Sequence, residues 1–470
     1  MTDIPHENTA MPGGPVGKRV ANPWVREAGA MLTLGWPLIL TMLMQIATTT
    51  TDVAMMGQLG PQALAAGTLG ANLYFPAFLI GIGLASATAP MMAQARGARR
   101  HWVRDVRRTF RQGLWACALL CLPLWAVLWN AEALLLAMGQ DPVLAAMAHL
   151  YVMPLMWGLL PGLWFTVLRC FVSVLERPRS ALWVAIAAVL LNALLDWMLM
   201  FGNWGAPDLG LAGAGIASSL VSAFSFLALA GLVFFDRQYR RFHLFGRFWH
   251  ADWSRFAEVW RIGLPIAATM ALEVTVFNAS AFIMGLFGAA PLAAHAIALQ
   301  VASITLMVPL GLAQATTVRV GLFAGARDPD GVRRAGWTGI GLATGFMAMS
   351  ACVMLTLPGL LVAPFLNLSA PGADEVVALA AVFLAFAGIF QIADGIQVAA
   401  VGALRGLKDT RVPMILAAIG YWGIGMPMAL GLAFWADMGG RGLWAGLAIG
   451  LAVVAVLLAL RFARATRRIA

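Results

Sequence analysis

Apolar stretches of about 20 residues recur along almost the whole chain, separated by short polar or basic segments, and about 20 apolar residues is the length that carries a helix across a bilayer core. The pattern predicts helices over 31–57, 65–94, 112–136, 146–170, 181–202 and 211–235, then over 259–287, 292–323, 335–365, 375–404, 412–436 and 441–462. The expected fold is all-α and membrane-integral, with about twelve transmembrane helices.

The second half copies the first. Gly35-Trp36-Pro37 matches Gly263-Leu264-Pro265 at a shift of 228 residues, and the same shift aligns Leu64-Ala65-Ala66 with Leu292-Ala293-Ala294, Gly83 with Gly311 and Gly97 with Gly325. Six helices is an even number, so both copies enter from one side. The result is two six-helix bundles related by a parallel internal repeat, enclosing a central cavity suited to alternating access. The expected division is a tail over 1–30, an N-lobe over 31–240, a linker over 241–258, a C-lobe over 259–463 and a tail over 464–470.

Composition agrees: 61% of the 470 residues are hydrophobic and 11% charged, too little charge to clothe a soluble domain of this size. The net charge of +10 belongs to loops rather than to a nucleic-acid surface. Segment 95–112 holds Arg96, Arg99, Arg100, Arg104, Arg107, Arg108 and Arg111, and segment 236–258 holds Arg237, Arg240, Arg241, Arg247 and Arg255. Further basic groups, at Arg177 and Arg179, at Arg405, Lys408 and Arg411, and in the C-terminal tail, fall on the same side. That side is expected to be cytoplasmic, with both termini inside and the chain in the cell (inner) membrane. Most of these charges are expected to be solvated or to meet lipid headgroups. The polar start of the chain has no apolar stretch behind a basic end, so it reads as a tail and not a cleaved leader. Cys117, Cys121, Cys170 and Cys352 are expected to be buried apolar thiols.

The chemistry lies in the polar residues inside the spans. A carboxylate at the centre of a membrane helix costs about 3 kcal/mol on insertion scales and marks a cavity, an ion or a proton path. Four occur: Asp52, Asp196, Glu273 and Asp394. Gln45 and Asp52 share one face of the first helix, and the repeat turns these positions into Glu273 and Ser280. Asn192 stands one turn before Asp196, and Asp394 has Gln391 and Gln397 to either side. The isolated amides Asn192, Gln300 and Gln314 serve equally well as helix-to-helix hydrogen-bonding groups, and Asp52 and Asp196 have the alternative of lying near solvated helix ends. His295 reads as a packed residue rather than a proton carrier. No catalytic residue is expected: HExxH, GxSxG and paired-His patterns are all missing from the sequence. Neither a selectivity-filter loop nor a ring of like charges is found, which favours a transporter over a channel.

The stretches TTTDVAMMGQLGPQALAAGTLG, LLNALLDWMLMFGNWGAPDLGLAGAGIASSL, LEVTVFNASAFIMGLFGAAPLAAHAIALQ and QIADGIQVAAVGALRGLKDTRVPMILAAIGYWGIGMP resemble the multidrug and toxic compound extrusion (MATE) family, most closely its NorM-type bacterial branch. The resemblance covers residues 30–460. It implies export of varied, often cationic amphiphilic compounds in exchange for a cation, with no cofactor and a monomeric protein whose partners are small-molecule drugs and membrane lipids. By resemblance, Asp52 and Asn192 match the N-lobe cation site, and Glu273 and Asp394 match the C-lobe acidic pair used for Na+ in NorM-type members. Asp196 departs from many of those members, which carry asparagine; proton-coupled and archaeal members carry aspartate. Phe390 lacks the hydroxyl some relatives place there. The coupling ion is therefore Na+ or H+. Gln45, Ser280, Gln300, Gln391 and Gln397 are candidate polar residues of the cavity. The alternative within transporters is a flippase for a lipid-linked sugar, expected to line its cavity with arginines for a pyrophosphate.

Overall fold

The computed structural model describes residues 22–240, 242–244, 246, 249–365 and 373–469. The tail over 1–21 and parts of the linker lie outside the described residues. Among those described there is no strand, and twelve helices are long and apolar enough to cross a membrane. In chain order the spans are Pro23–Gln58, Pro61–Gly97, Trp102–Trp129, Pro142–Val174, Arg179–Phe201 and Gly210–Phe235, then Trp253–Gly285, Ala289–Gly325, Pro329–Thr356, Asp374–Gly406, Arg411–Trp435 and Gly439–Arg468. The protein is a multi-pass membrane protein.

Local chemistry sets where helices start, bend and stop. Asn22 caps the first span by accepting from Trp24 N at 3.0 Å, with Pro23 just inside. The second span is interrupted at Ala87; Pro90 lacks the N–H that would bond the Ser86 carbonyl. The fourth passes through a 3-10 turn at Met156–Gly158, next to Pro154. The eleventh, rich in glycine, contains two π-helical stretches, Ile419–Gly425 and Gly431–Trp435.

Several expected boundaries move. The arginine-rich segment 95–112 is mostly helix: the second span runs to Gly97 and the third begins at Trp102. Arg104, Arg107, Arg108 and Arg111 therefore occupy the first turns of a span and not a loop. Helices continue past the apolar core because long arginine side chains reach the interface from within them. The third span stops at Trp129 and the ninth at Thr356, followed by the separate short helices Ala131–Ala137 and Pro358–Val362. Leu357 precedes a proline and so leaves the helical region. The seventh starts at Trp253, inside the expected linker, with Asp252 as its cap.

The repeat becomes physical at the contact between the two halves. A Cβ added to Gly83 would lie 2.5 Å from Ala267 Cα, and one at Gly311 would lie 2.8 Å from Ile39 N. One at Gly263 would lie 2.8 Å from Leu84 Cα, and one at Gly35 would lie 3.1 Å from Leu312 Cδ2. At Gly97 the obstacle is the Leu322 carbonyl oxygen and at Gly325 the Gln94 carbonyl oxygen, both at 2.0 Å. The partners are themselves related by the 228-residue shift: Ile39 to Ala267, Leu84 to Leu312, Gln94 to Leu322. The halves thus meet through the same surface from both sides, as in a two-fold dimer. Small residues let the backbones touch where lipid gives no hydrophobic drive.

Polar contacts between the halves gather at the arginine-bearing end. Arg319 binds Glu27 through two bonds, Nε at 2.8 Å and Nη2 at 2.7 Å, and Glu176 through Nη1 at 2.8 Å. Arg255 pairs with Asp105 at 2.7 Å, Arg108 with Asp252 at 2.8 Å, and Gln94 Nε2 donates to Gly406 O at 2.8 Å. Arg255 and Arg108 are thus tied into the contact between the halves, whereas Arg99, Arg100, Arg104, Arg177 and Arg237 are exposed. The Glu27 side chain is 7% exposed, so Arg319→Gln strands a buried carboxylate and is expected to cost about 3 kcal/mol. The check is the thermal unfolding midpoint, with partial recovery expected in Glu27→Gln/Arg319→Gln.

Cys117, Cys121 and Cys170 are buried as expected, whereas Cys352 is exposed on the ninth span.

Candidate functional site

Along the first span, contacts to the other half fall at Glu27, Met31, Gly35 and Ile39. Asp52 lies about 20 Å further on, at 1.5 Å per residue. There the structure assembles a cluster from three spans. Asn192 Nδ2 donates to Asp52 Oδ1 at 2.5 Å and to Asp196 Oδ2 at 2.8 Å. Ser218 Oγ, from the sixth span, donates to Asp52 Oδ2 at 3.3 Å. The two carboxyl groups are thus bridged by one amide and also interact with each other electrostatically. Asn192 and Asp196 are fully buried, and Asn192 Oδ1 and Asp196 Oδ1 have no hydrogen-bond partner. Both aspartates lie within two turns of their helix ends, Gln58 and Phe201. The covering elements nevertheless leave Asp196 no solvent contact, so the solvated-end alternative does not hold for it.

The C-lobe carries a second cluster built differently. Glu273, on the seventh span, lines a small cavity of about 10 Å³ with Phe277, Phe390 and Tyr421, at the limit of room for one water. Asp394 is 4% exposed and within electrostatic reach of Glu273. Gln397 Nε2 donates to the Tyr421 hydroxyl in a short bond. Asp394 Oδ1 and Gln397 Oε1 are buried without a partner. An extra charge stands nearby: Arg405 interacts electrostatically with Glu273. The basic patterning places Arg405 in a loop, but it occupies the last turn of the tenth span, where it is set to balance part of the acidic charge.

The remaining polar candidates are not drawn into either cluster. Gln45 and Gln300 are exposed. Ser280, the repeat counterpart of Asp52, donates to Phe277 O at 2.7 Å and stands 3.4 Å from His295 Nε2. His295 is fully buried against Trp444, ring centroids 5.4 Å apart. Gln391 accepts from Ser350 Oγ at 3.0 Å and donates to Thr305 Oγ1 in a short bond, tying the eighth, ninth and tenth spans together. Ser218, Tyr421 and Arg405 complete the clusters and were not singled out from the sequence. For Tyr421 a signal existed: it is a phenol in an apolar span, within a glycine-rich run that makes a π-helical turn, a feature common at functional sites.

Among the described residues no three metal-ligating side chains group together. The Glu273 and Asp394 carboxylates and the unpartnered Gln397 oxygen are instead hard oxygen donors, the ligand type that hard cations take.

The MatE family profile matches residues 37–198 and 265–430, one segment in each half. The chain is 54% identical over 446 residues to a probable multidrug resistance protein NorM of Mesorhizobium japonicum, covering 95% of this chain and 96% of that protein. It is 48% identical over 444 residues to one of Brucella suis, covering 94% of each. Among solved structures, a Vibrio cholerae MATE transporter, VcmN, in its bent form superposes with a TM-score of 0.83 at 20% identity, covering 95% of this chain and 98% of that one. The eukaryotic MATE transporter AtDTX14 superposes with a TM-score of 0.81 at 23% identity, covering 96% and 100%. With both halves matched and close relatives spanning nearly its whole length, the chain belongs to the MatE family, and it is a transporter rather than an enzyme.

Proposed function

We propose that the chain is a multidrug efflux antiporter that exports amphiphilic, often cationic compounds in exchange for an inward-moving cation, Na+ or H+. The relatives named multidrug resistance protein NorM support the efflux part of this reading. The observation that carries the coupling is the unsatisfied buried oxygen chemistry on each side: Asn192 Oδ1 and Asp196 Oδ1 in the N-lobe, Asp394 Oδ1 and Gln397 Oε1 in the C-lobe. An unpaired buried acceptor costs about 1–3 kcal/mol. A cation or proton entering either cluster removes that cost, and a cationic drug reaching the same carboxylates competes with it.

The packing supports a reading of alternating access. The lobes touch along the arginine-bearing end, and both clusters lie beyond that contact. Parting it while closing the opposite end would present the cavity to the other side of the inner membrane, with both termini cytoplasmic. The N-lobe pair suits a proton; the C-lobe oxygen donors suit Na+, with Arg405 limiting the net charge they accept. The flippase reading would need arginines gathered in the central cavity; among the described residues Arg405 interacts electrostatically with Glu273, and Arg169 lies buried on the fourth span.

The test is dye export from proteoliposomes driven separately by a Na+ gradient and a pH gradient. Glu273→Gln and Asp394→Asn are each expected to lower Na+-driven export about tenfold or more, a loss of about 1.4 kcal/mol or more of binding. Wild-type export by both variants under either gradient would overturn the assignment.

A further inference from the structure

A cavity of about 510 Å³ opens on the arginine-bearing face of the N-lobe, far from both acidic clusters. Four elements wall it: Arg96 at the end of the second span, Trp102 at the start of the third, Arg177 after the fourth, and Arg237, Gln238 and Tyr239 after the sixth. Arg96 is half committed, donating to Val174 O and, at 3.1 Å, to Glu176. Arg177 and Arg237 are exposed, and among the described residues neither forms an ion pair. Of the neighbouring acids, Glu176 is shared between Arg96 and Arg319, while Asp236 Oδ1 accepts from Gln238 N at 2.9 Å. The cavity therefore keeps a surplus of positive charge. Burial pushes the Tyr239 phenol up from its ordinary value, so its hydroxyl stays a donor.

Depth identifies the source of the anion. The sixth span ends in Phe234 and Phe235, 64% and 80% exposed, packed edge to face at 5.3 Å, just before Asp236. Exposed apolar rings followed at once by Asp236 and Arg237 mark the edge of the hydrocarbon core, which puts the three guanidinium groups at headgroup level. Basic pockets at that level on the cytoplasmic side are built to hold phosphate-bearing lipid. We propose that this cavity binds the phosphate headgroup of an anionic phospholipid, held by Arg96, Arg177 and Arg237. Arg96 pairs with Glu176, which pairs with Arg319 across the lobe contact, so the occupant would sit one ion pair from that contact.

The test is native mass spectrometry of the full chain released from mixed micelles of phosphatidylglycerol and phosphatidylcholine. The wild type should retain phosphatidylglycerol selectively. Arg177→Gln/Arg237→Gln should retain it about ten- to thirtyfold more weakly, and Arg177→Lys/Arg237→Lys should recover most of the loss, showing that folding is not at issue. Arg467→Gln/Arg468→Gln, which removes the same charge from exposed positions on the last span, should bind as the wild type does. Excess inorganic phosphate should leave the lipid in place. Equal retention by the two glutamine pairs would overturn the site, reducing it to general charge attraction. Displacement by inorganic phosphate would overturn the lipid assignment in favour of a soluble anion.

Discussion

Asp52→Asn is expected to abolish export: cells carrying it should be as drug-sensitive as cells without the transporter, at unchanged protein level. The substitution keeps size and shape but replaces the carboxyl that accepts from both Asn192 Nδ2 at 2.5 Å and Ser218 Oγ at 3.3 Å. A hydrogen bond to a charged group is worth about 2 kcal/mol, or about thirtyfold. The larger effect is expected on coupling, because two neighbouring carboxyl groups become one carboxyl facing two amides. Drug binding can survive; cation-driven accumulation should not. The check is a resistance assay paired with dye efflux under an imposed pH or Na+ gradient. Wild-type resistance from this variant would remove the N-lobe cluster from the mechanism.

Gly325→Val is expected to open the lobe contact. Its Cβ would lie 2.0 Å from the Gln94 carbonyl oxygen, a backbone atom that no rotamer change can withdraw. Overpacking costs about 1–3 kcal/mol even where side chains can yield. Here the upper end applies, enough to lower the closed population about a hundredfold. Spin labels at Arg99 and Arg327, both exposed on this face, should report a longer, broader distance in a background freed of its own cysteines. Gly97→Val should do the same, since its Cβ would meet Leu322 O at the identical 2.0 Å. An unchanged distance in both variants would mean that the glycine contact does not hold the lobes together.

The spans were legible because a bilayer demands a fixed length of apolar helix. Their ends were not, because helices such as Trp102–Trp129 run on through several arginines that hydropathy assigns to a loop. The repeat was legible through Gly35, Gly83 and Gly97 and their copies, yet the sequence presents them only as markers. Their packing role appears once Ala267, Leu84 and Leu322 are seen against them. For the N-lobe cluster, the one-turn spacing of Asn192 and Asp196 puts those two together, whereas Asp52 comes to them across 140 residues by folding alone. Ser218 is one serine among several in its helix, and Tyr421 reaches Gln397 from a π-helical turn that ordinary helical phase does not anticipate. Gln45 and Gln300 show the opposite limit: amides on an apolar face that neither cluster recruits.

Competition between drug and cation for these carboxylates would couple export to cation entry, and ion release on drug binding tests it most directly. Purified protein, loaded with radioactive sodium or held in weakly buffered solution with a pH indicator, is titrated with a cationic drug. Release of Na+ or H+ that saturates with the drug is expected, lost in Asp52→Asn for a proton and in Asp394→Asn for sodium. Saturable drug binding that releases neither ion would contradict it.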